Sequence, residues 1–216
     1  MICGVDEAGK GPVIGPLVVA AVMVKNLKFL EDLGVKDSKV ISPTKRKELA
    51  KIIKEKFDYV VEIIEPKLID EYTFKKKLNQ LNREAFERVI SKLNPDIAYV
   101  DAADVNEQRF GILIKQGLTN SKDTDIISMH KADAKISVVA AASILAKESR
   151  EREIKKLKNE IGDFGSGYPS DERTIKFLKA FYADKHKWPT GSRKSWKTLS
   201  RIKPVKTLDD FGENNE

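Results

Sequence analysis

Two apolar runs near the N-terminal end of the sequence flank a link rich in glycine and proline. Residues 1–5 have the length and composition of a short buried strand. The run Leu17–Val24 is rich in β-branched residues and is bounded by Pro16 and Asn26, which predicts a second strand. Because residues 9–16 would join the two strands, the chain is expected to form a sheet here.

Strand and helix patterns alternate along the rest of the sequence. Ser42 followed by Pro43 is typical of a helix N-terminus, and apolar residues recur at helical spacing from position 49 to 57. Further strands are predicted at residues 59–64, 97–100 and 126–127, and further helices within 68–93 and at 136–158, 171–182 and 192–202. This order predicts the α/β class, with a mixed sheet flanked by helices.

The expected organisation is a main domain over residues 1–160, a basic helical C-terminal subdomain over 161–203 and a disordered tail over 204–216, which is acidic near its end. No stretch of about eighteen apolar residues and no signal-peptide pattern occurs. We therefore expect a cytoplasmic protein without a membrane segment. Nothing in the sequence suggests a dimer seam, so a monomer is expected.

The sequence contains few cysteine and histidine residues that could bind a metal. Cys3 is the single cysteine, which excludes an internal disulfide and a cysteine-based zinc site. His130 and His186 are the two histidines, too few for a metal site dominated by imidazole. Any metal must therefore be held by carboxylates, which favours hard cations such as Mg²⁺ or Mn²⁺.

The charge balance indicates a polyanionic partner. The formal net charge is +7, and a basic surface releases counterions when it meets phosphates. A surface of thermophilic type, with its excess lysine merely solvated, is the alternative. The last third favours nucleic acid, because basic residues alternate there with Trp188 and Trp196, which are themselves expected to anchor a core. The basic residues are Lys185, Lys187, Arg193, Lys194, Lys197, Arg201, Lys203 and Lys206.

Four acids from three distant segments are candidates for one metal site. Asp6 and Glu7 stand where the first strand meets the glycine segment, Asp101 ends a later strand, and Asp133 precedes a long predicted helix. Clustered carboxylates repel one another, and bound cations offset that repulsion. Two Mg²⁺ ions about 3.5–4 Å apart activate water and stabilise the leaving oxygen in phosphodiester cleavage. The cluster therefore predicts phosphoryl chemistry.

Each acid also has a structural interpretation. Asp133 could be a helix N-cap, and Asp101 could mark a turn after its strand. Asp6 and Glu7 are neighbours on a predicted strand and should face opposite sides, so both reach one site only if the strand ends or bulges.

The glycine segment, Gly9-Lys10-Gly11-Pro12, matches neither a P-loop nor a dinucleotide fingerprint. Its backbone could still approach a sugar or phosphate closely, because glycine lacks the Cβ that would block contact. A simple tight turn is the alternative.

Taken together, these motifs resemble type 2 ribonuclease H, ribonuclease HII, in its archaeal form. The resemblance covers residues 1 to about 203, and the ordered combination of motifs is specific although each alone is weak. The matching segments are Asp-Glu-Ala-Gly-Lys-Gly-Pro at 6–12, Asp37-Ser38-Lys39, Tyr99-Val100-Asp101, His130-Lys131-Ala132-Asp133, Ala-Ala-Ser-Ile-Leu-Ala-Lys at 141–147 and Gly165-Ser166-Gly167-Tyr168-Pro169.

The resemblance implies a ribonuclease H-like catalytic domain whose metal-binding catalytic residues are Asp6, Glu7, Asp101 and Asp133. It implies that the backbone of the Gly9-Lys10-Gly11 turn senses the ribose 2′-hydroxyl and that Tyr168 stacks on the sugar after the RNA–DNA junction. The implied substrates are RNA/DNA hybrids and duplex DNA that contains single ribonucleotides. Cleavage on the 5′ side of a ribonucleotide would leave 3′-hydroxyl and 5′-phosphate ends.

Three further expectations accompany this resemblance. Lys10 replaces the family's usual arginine, which keeps the positive charge but loses the planar guanidinium. Recognition of the 2′-hydroxyl survives if backbone amides do the sensing. If the side chain instead binds a phosphate, substrate binding would weaken. Lys39 and the basic C-terminal helices are expected to hold phosphates. Leu208 and Phe211, beside two aspartates, resemble a degenerate sliding-clamp-binding peptide, although its leading glutamine is replaced by Val205.

Two other classes of protein remain open. A non-catalytic nucleic-acid-binding protein would explain the basic charge, but it gains nothing from four acids that face phosphates. A junction resolvase or integrase-like nuclease would use the same carboxylates, but it lacks the combined glycine turn and loop tyrosine and would cut DNA without ribose.

Overall fold

The computed structural model describes residues 1–35, 41–119 and 123–203. Its centre is a sheet of five strands in the order β3-β2-β1-β4-β5. The strands are β1 (Ile2–Ala8), β2 (Leu17–Val24), β3 (Asp58–Ile64), β4 (Ile97–Asp101) and β5 (Asp125–Met129). β2 runs antiparallel to both β1 and β3, whereas β1, β4 and β5 are parallel. The predicted mixed sheet of the α/β class is thus confirmed.

Helices cover both faces of this sheet. The helices are α1 (Lys28–Asp32), α2 (Pro43–Lys56), α3 (Pro66–Phe74), α4 (Leu78–Leu93), α5 (Glu107–Gly117), α6 (Ala132–Lys135), α7 (Ser137–Ile161), α8 (Glu172–Lys185) and α9 (Lys197–Ile202). One core lies between the sheet and α2 with α7, and the other between the sheet and α3, α4 and α5. The Ser42 hydroxyl caps α2 by accepting from the Lys45 amide at 3.2 Å, as its sequence predicts.

Helix α7 packs unusually close to β1. A Cβ at Gly4 would lie 2.3 Å from the carbonyl carbon and oxygen of Val138, so only glycine fits at this crossing. The first half of α7 is almost wholly buried. This closeness brings the side chains of α7 against the end of β1.

The helices of the structure differ from the predicted ones at several places. Helices α1, α5 and α6 were not predicted. Helix α5 carries Gly111 in its interior, and glycine disfavours a helix. The predicted helix at 192–202 is confined to Lys197–Ile202. The segment before it instead bonds to the N-terminal link, with the Arg193 amide donating to the Val13 carbonyl at 2.8 Å.

A third, smaller core joins the N-terminal link to the C-terminal helices. It contains Val13 and Ile14 from the link together with residues of α7, α8 and α9, and Trp188 and Trp196 pack against it. Both tryptophans are thus core anchors, as expected. No helix within the described residues is long and apolar enough to cross a membrane.

Candidate active site

The sheet brings Asp6 and Asp101 side by side. In the parallel pair of β1 and β4, Val5 is the register partner of Val100, and the next residue along each strand is one of these aspartates. The Asp101 Oδ1 atom accepts a hydrogen bond from the Ala132 amide at 3.1 Å. This bond draws α6 onto the end of β4, and Asp133 on α6 comes with it.

Three carboxylates therefore form one cluster. Asp6, Asp101 and Asp133 each offer an oxygen, and these atoms lie within 4.8 Å of one another. Asp133 is not an N-cap of α7, because the residue in that position is Ile136. The proposed capping role is thus wrong, and Asp133 is only 3% exposed inside the cluster.

The electrostatics of this cluster suit a cation. Burial raises the pKa of Asp6 well above its usual range, and the charges of Glu7 and Asp101 add to the increase. A hydrogen bond from Ser143 on α7 opposes the shift. Oxygen ligands gathered at this density match what a hard divalent cation requires, since its charge would offset their repulsion.

Glu7 occupies the opposite face of β1, as strand geometry requires. Strand β1 continues through Ala8 and the carboxylate stands beside Asn82 of α4, so Glu7 is not one of the three clustered acids. Burial raises the pKa of Glu7 to about 7, with Lys10 lowering it and Asp101 raising it further. Glu7 therefore still interacts electrostatically with the edge of the cluster.

The glycine turn follows directly. Gly9 has φ +91°, and a Cβ there would lie 2.6 Å from the Pro16 carbonyl oxygen, so this position needs glycine. The Lys10 Nζ atom donates to the Ala103 carbonyl at 2.7 Å, which ties its side chain to the segment after β4. Residues 9–11 line a pocket of about 330 Å³, together with Glu7, Ala8, Lys147, Arg150, Glu151 and Tyr168.

Tyr168 stands at the mouth of this pocket and is 37% exposed, as its glycine-rich loop predicts. The Arg150 guanidinium lies 5.1 Å from the centroid of its ring. The Gly167 carbonyl accepts the amide of Val13 at 2.8 Å, which fixes the loop to the residues after the glycine turn. The turn and the tyrosine thus share one wall of the pocket.

Several side chains at this site had no distinctive signal in the sequence. Ser143 and Lys147 belong to the family-like segment 141–147, but no role was expected of them, and Asn82 and Arg150 are ordinary residues of helical segments. Arg193 was expected on a basic phosphate-binding surface, but it is fully buried. That expectation was wrong for Arg193, because its guanidinium contacts backbone. Lys39, Leu208 and Phe211 lie outside the described residues.

The chain matches one known protein family over nearly its whole length. The family model described as ribonuclease HII matches residues 3–199. The chain belongs to the ribonuclease HII family. The ribonuclease HII of Thermococcus sibiricus is 49% identical over 204 residues, which span 92% of this chain and 89% of that protein.

Solved structures of the ribonuclease HII family share the fold. The ribonuclease HII in the PCNA:RNase HII complex from Archaeoglobus fulgidus has a TM-score of 0.87 at 45% identity, covering 98% of this chain and 100% of that one. The ribonuclease H2 from Pyrococcus horikoshii gives the same score and identity over 93% and 96% of the two chains. The chain is accordingly a hydrolase of the divalent-metal-dependent ribonuclease H type, whose family cleaves the RNA strand of RNA/DNA hybrids.

The buried acids predict how the stability of the metal-free protein depends on pH. The folded state keeps Glu7 protonated up to about pH 7, whereas the unfolded state loses that proton near the ordinary value of 4.5. Between these two values the folded state binds more protons, so the free energy of unfolding falls as pH rises. Asp6 acts in the same direction. We expect the Tm of chelator-treated protein to fall between pH 5 and pH 7.5.

Divalent cations should reverse this loss. A ligand at about 100 times its Kd adds about 2.7 kcal/mol, which corresponds to about 5–10 °C for a chain of this size. Scanning calorimetry at pH 7.5 with Mn²⁺, with Mg²⁺ and with chelator measures the shift. Two results would contradict repulsion among these buried acids: a Tm that rises with pH in chelator, or a Tm that neither cation changes.

Proposed function

We propose that the chain is an endonuclease that hydrolyses the RNA strand of RNA/DNA hybrids and cuts on the 5′ side of single ribonucleotides in duplex DNA. The observation that carries this proposal is the cluster of Asp6, Asp101 and Asp133, with ligand atoms within 4.8 Å of one another, at the end of the parallel strands. A pocket built from a glycine turn and an exposed tyrosine lies alongside.

The carboxylates would act as ligands of two divalent cations, Mg²⁺ or Mn²⁺. Asp6, Asp101 and Asp133 would hold the cations, and Glu7, which lies outside this cluster but acts by charge on Asp101, would complete the set from its edge. Such cations supply activation of the attacking water and charge stabilisation on the leaving oxygen. The burial of Asp6 and Asp133 keeps their carboxylates in a fixed arrangement, so no reorganisation is needed when substrate binds.

Substrate recognition would use the pocket beside the acids. The backbone of Gly9, Lys10 and Gly11 would sense the ribose 2′-hydroxyl, and Tyr168 would stack on the following sugar. Lys147 and Arg150 line the same pocket and can meet phosphates. Lys39 and the exposed lysines of the C-terminal helices would extend these contacts, which recognise the shape and sugar of the duplex rather than its base edges.

The test is a labelled DNA duplex that contains one ribonucleotide, incubated with Mg²⁺, with Mn²⁺ and with chelator. We expect cleavage only with a cation, on the 5′ side of the ribonucleotide, with 3′-hydroxyl and 5′-phosphate ends. Treating the products with phosphatase and ligase identifies the ends. Cleavage that persists in chelator, or products with a 2′,3′-cyclic phosphate, would rule out this chemistry.

The organisation that we propose assigns catalysis to residues 1–160 and additional duplex contacts to residues 161–203. Both parts contribute to the pocket, since Tyr168 belongs to the second. We propose that the chain acts in the cytoplasm, on duplex DNA that contains ribonucleotides.

We also propose a sliding clamp as partner, bound through Leu208 and Phe211 in the tail. The support is the related ribonuclease HII that was solved in complex with PCNA, together with the apolar pair beside Asp209 and Asp210. A pull-down with immobilised clamp compares the full chain with a chain that stops at Pro204. We expect retention of the full chain only; equal retention of both would overturn the tail as the binding segment.

A further inference from the structure

Arg193 is the largest of the fully buried side chains. Its guanidinium donates to three backbone carbonyls: Nε to Gly15 at 3.0 Å, Nη1 to Lys10 at 2.9 Å and Nη2 to Gly9 at 2.5 Å. All three acceptors belong to the glycine turn and the link that follows it. One side chain from the C-terminal part thus binds the inner side of the turn.

These bonds determine where the turn directs its amides. In a planar trans peptide the C=O and N–H groups point in opposite directions. Because the Gly9 and Lys10 carbonyls point at the buried guanidinium, the amides of Lys10 and Gly11 point away from it, towards the pocket. Within residues 1–35, 41–119 and 123–203, no hydrogen bond occupies these two amides.

The surroundings of Arg193 hold it in this position. Its guanidinium lies 4.8 Å from the centroid of the Trp196 ring, and the Trp196 Nε1 atom donates to the Gly11 carbonyl at 3.0 Å. The amides of Lys194 and Ser195 donate to the Asp70 carboxylate at 2.8 and 2.9 Å. Successive carbonyls of the turn are therefore all held from one side.

We infer that Arg193 is a positioning residue that keeps the amides of Lys10 and Gly11 directed into the pocket and so determines the preference for a ribose 2′-hydroxyl. The inference rests on the proposed function and deepens it, because it assigns the recognition geometry to a residue outside the turn. A lysine cannot replace this arginine, since a single ammonium lacks the planar fork that spans three carbonyls. Burial lowers the pKa of Arg193 to about 9, so the group stays cationic at neutral pH.

The test uses binding in chelator, where no cleavage occurs, to a duplex with one ribonucleotide and to the same duplex in all-DNA form. A single neutral hydrogen bond contributes about 0.5–1.5 kcal/mol, so the native chain should prefer the ribonucleotide about 3- to 10-fold. Arg193→Lys should lose this preference and keep its affinity for all-DNA duplex. With Mn²⁺ present, its kcat/KM on the ribonucleotide substrate should fall about 100-fold, as expected for misplaced recognition groups.

Two further variants separate positioning from general stability. Trp196→Phe removes one donor to the turn and keeps the ring, so it should lose part of the preference even if Arg193→Lys folds poorly. Arg88→Lys changes an arginine that pairs with Glu62 on the surface and should behave as the native chain. A merely structural role would lower the Tm and weaken binding to both duplexes alike. Retained preference in folded Arg193→Lys would overturn the inference.

A last measurement keeps this inference distinct from the proposed function. If the native chain shows no preference for ribose, recognition by the turn is wrong. The backbone amide chemical shifts of residues 9–11 still report on positioning. They should change in Arg193→Lys and not in Arg88→Lys; unchanged shifts would overturn the role of Arg193.

Discussion

Asp101→Asn is expected to reduce cleavage of a ribonucleotide-containing duplex by at least about a thousandfold. The substitution removes one negative charge from the cluster of Asp6, Asp101 and Asp133. A loss of about 4 kcal/mol in transition-state stabilisation is of the size expected for an impaired metal site, and each 1.36 kcal/mol corresponds to about a factor of ten in rate. The asparagine Oδ1 can still accept the Ala132 amide, so α6 should keep its place.

Single-turnover rates, with the Mn²⁺-induced shift in Tm as a second readout, measure this effect. Asp125→Asn is the matched control, because Asp125 is exposed at the start of β5 and pairs with Lys115. We expect the control to retain the native rate and the native Tm shift. A fully active Asp101→Asn variant would show that this cluster is not where the chemistry occurs.

Replacing the single ribonucleotide by its 2′-deoxy counterpart should reduce cleavage about 10⁴-fold. A site built to hydrogen-bond a substrate hydroxyl rejects the analogue without it by about 10⁴- to 10⁵-fold, because its polar groups are then left unpaired. The amides of Lys10 and Gly11, which donate to no partner among the residues that the structure describes, supply such groups. Much of the discrimination should therefore be seen in kcat rather than in KM.

Rates on matched duplexes of identical sequence, which differ only at one 2′ position, give this ratio. A 2′-O-methyl nucleotide at the same position should also resist cleavage, since the methyl group blocks close approach of the backbone. Comparable rates on the ribose and deoxyribose duplexes would contradict recognition of the sugar. They would favour a nuclease of the resolvase type, which acts on DNA without ribose.

The sequence predicts the sheet well because the strands are physically distinctive. Leu17–Val24 is buried on both faces, and an uninterrupted β-branched run has few other stable conformations. Helix α5 was not predicted because Gly111 lies in its interior and glycine disfavours a helix. The α/β class, the candidate acids and the exposed Tyr168 were all accessible from local pattern or family resemblance.

What local pattern could not supply is pairwise geometry. In the sequence, Asp6 and Glu7 are two neighbouring acids before a turn, and nothing distinguishes their roles. Strand pairing shows that Asp6 joins Asp101, whereas Glu7 lies beside Asn82. Arg193 is the clearest case. A basic residue among other basic residues predicts a phosphate contact. Only the folded chain shows that this guanidinium donates to backbone carbonyls far away in sequence.

The bonds between Arg193 and the glycine turn also determine when the turn can reach its final geometry during synthesis on the ribosome. The turn is synthesised before its partner, because Arg193 follows Gly9 by 184 residues. At about 5–20 residues per second, the wait is about 10–40 s. Asp101 and Asp133 are added during that interval, and until Arg193 follows them the turn lacks the residue that aims its amides. On the role inferred for Arg193, the nascent chain can select ribose only after that residue has left the ribosome and joined the turn.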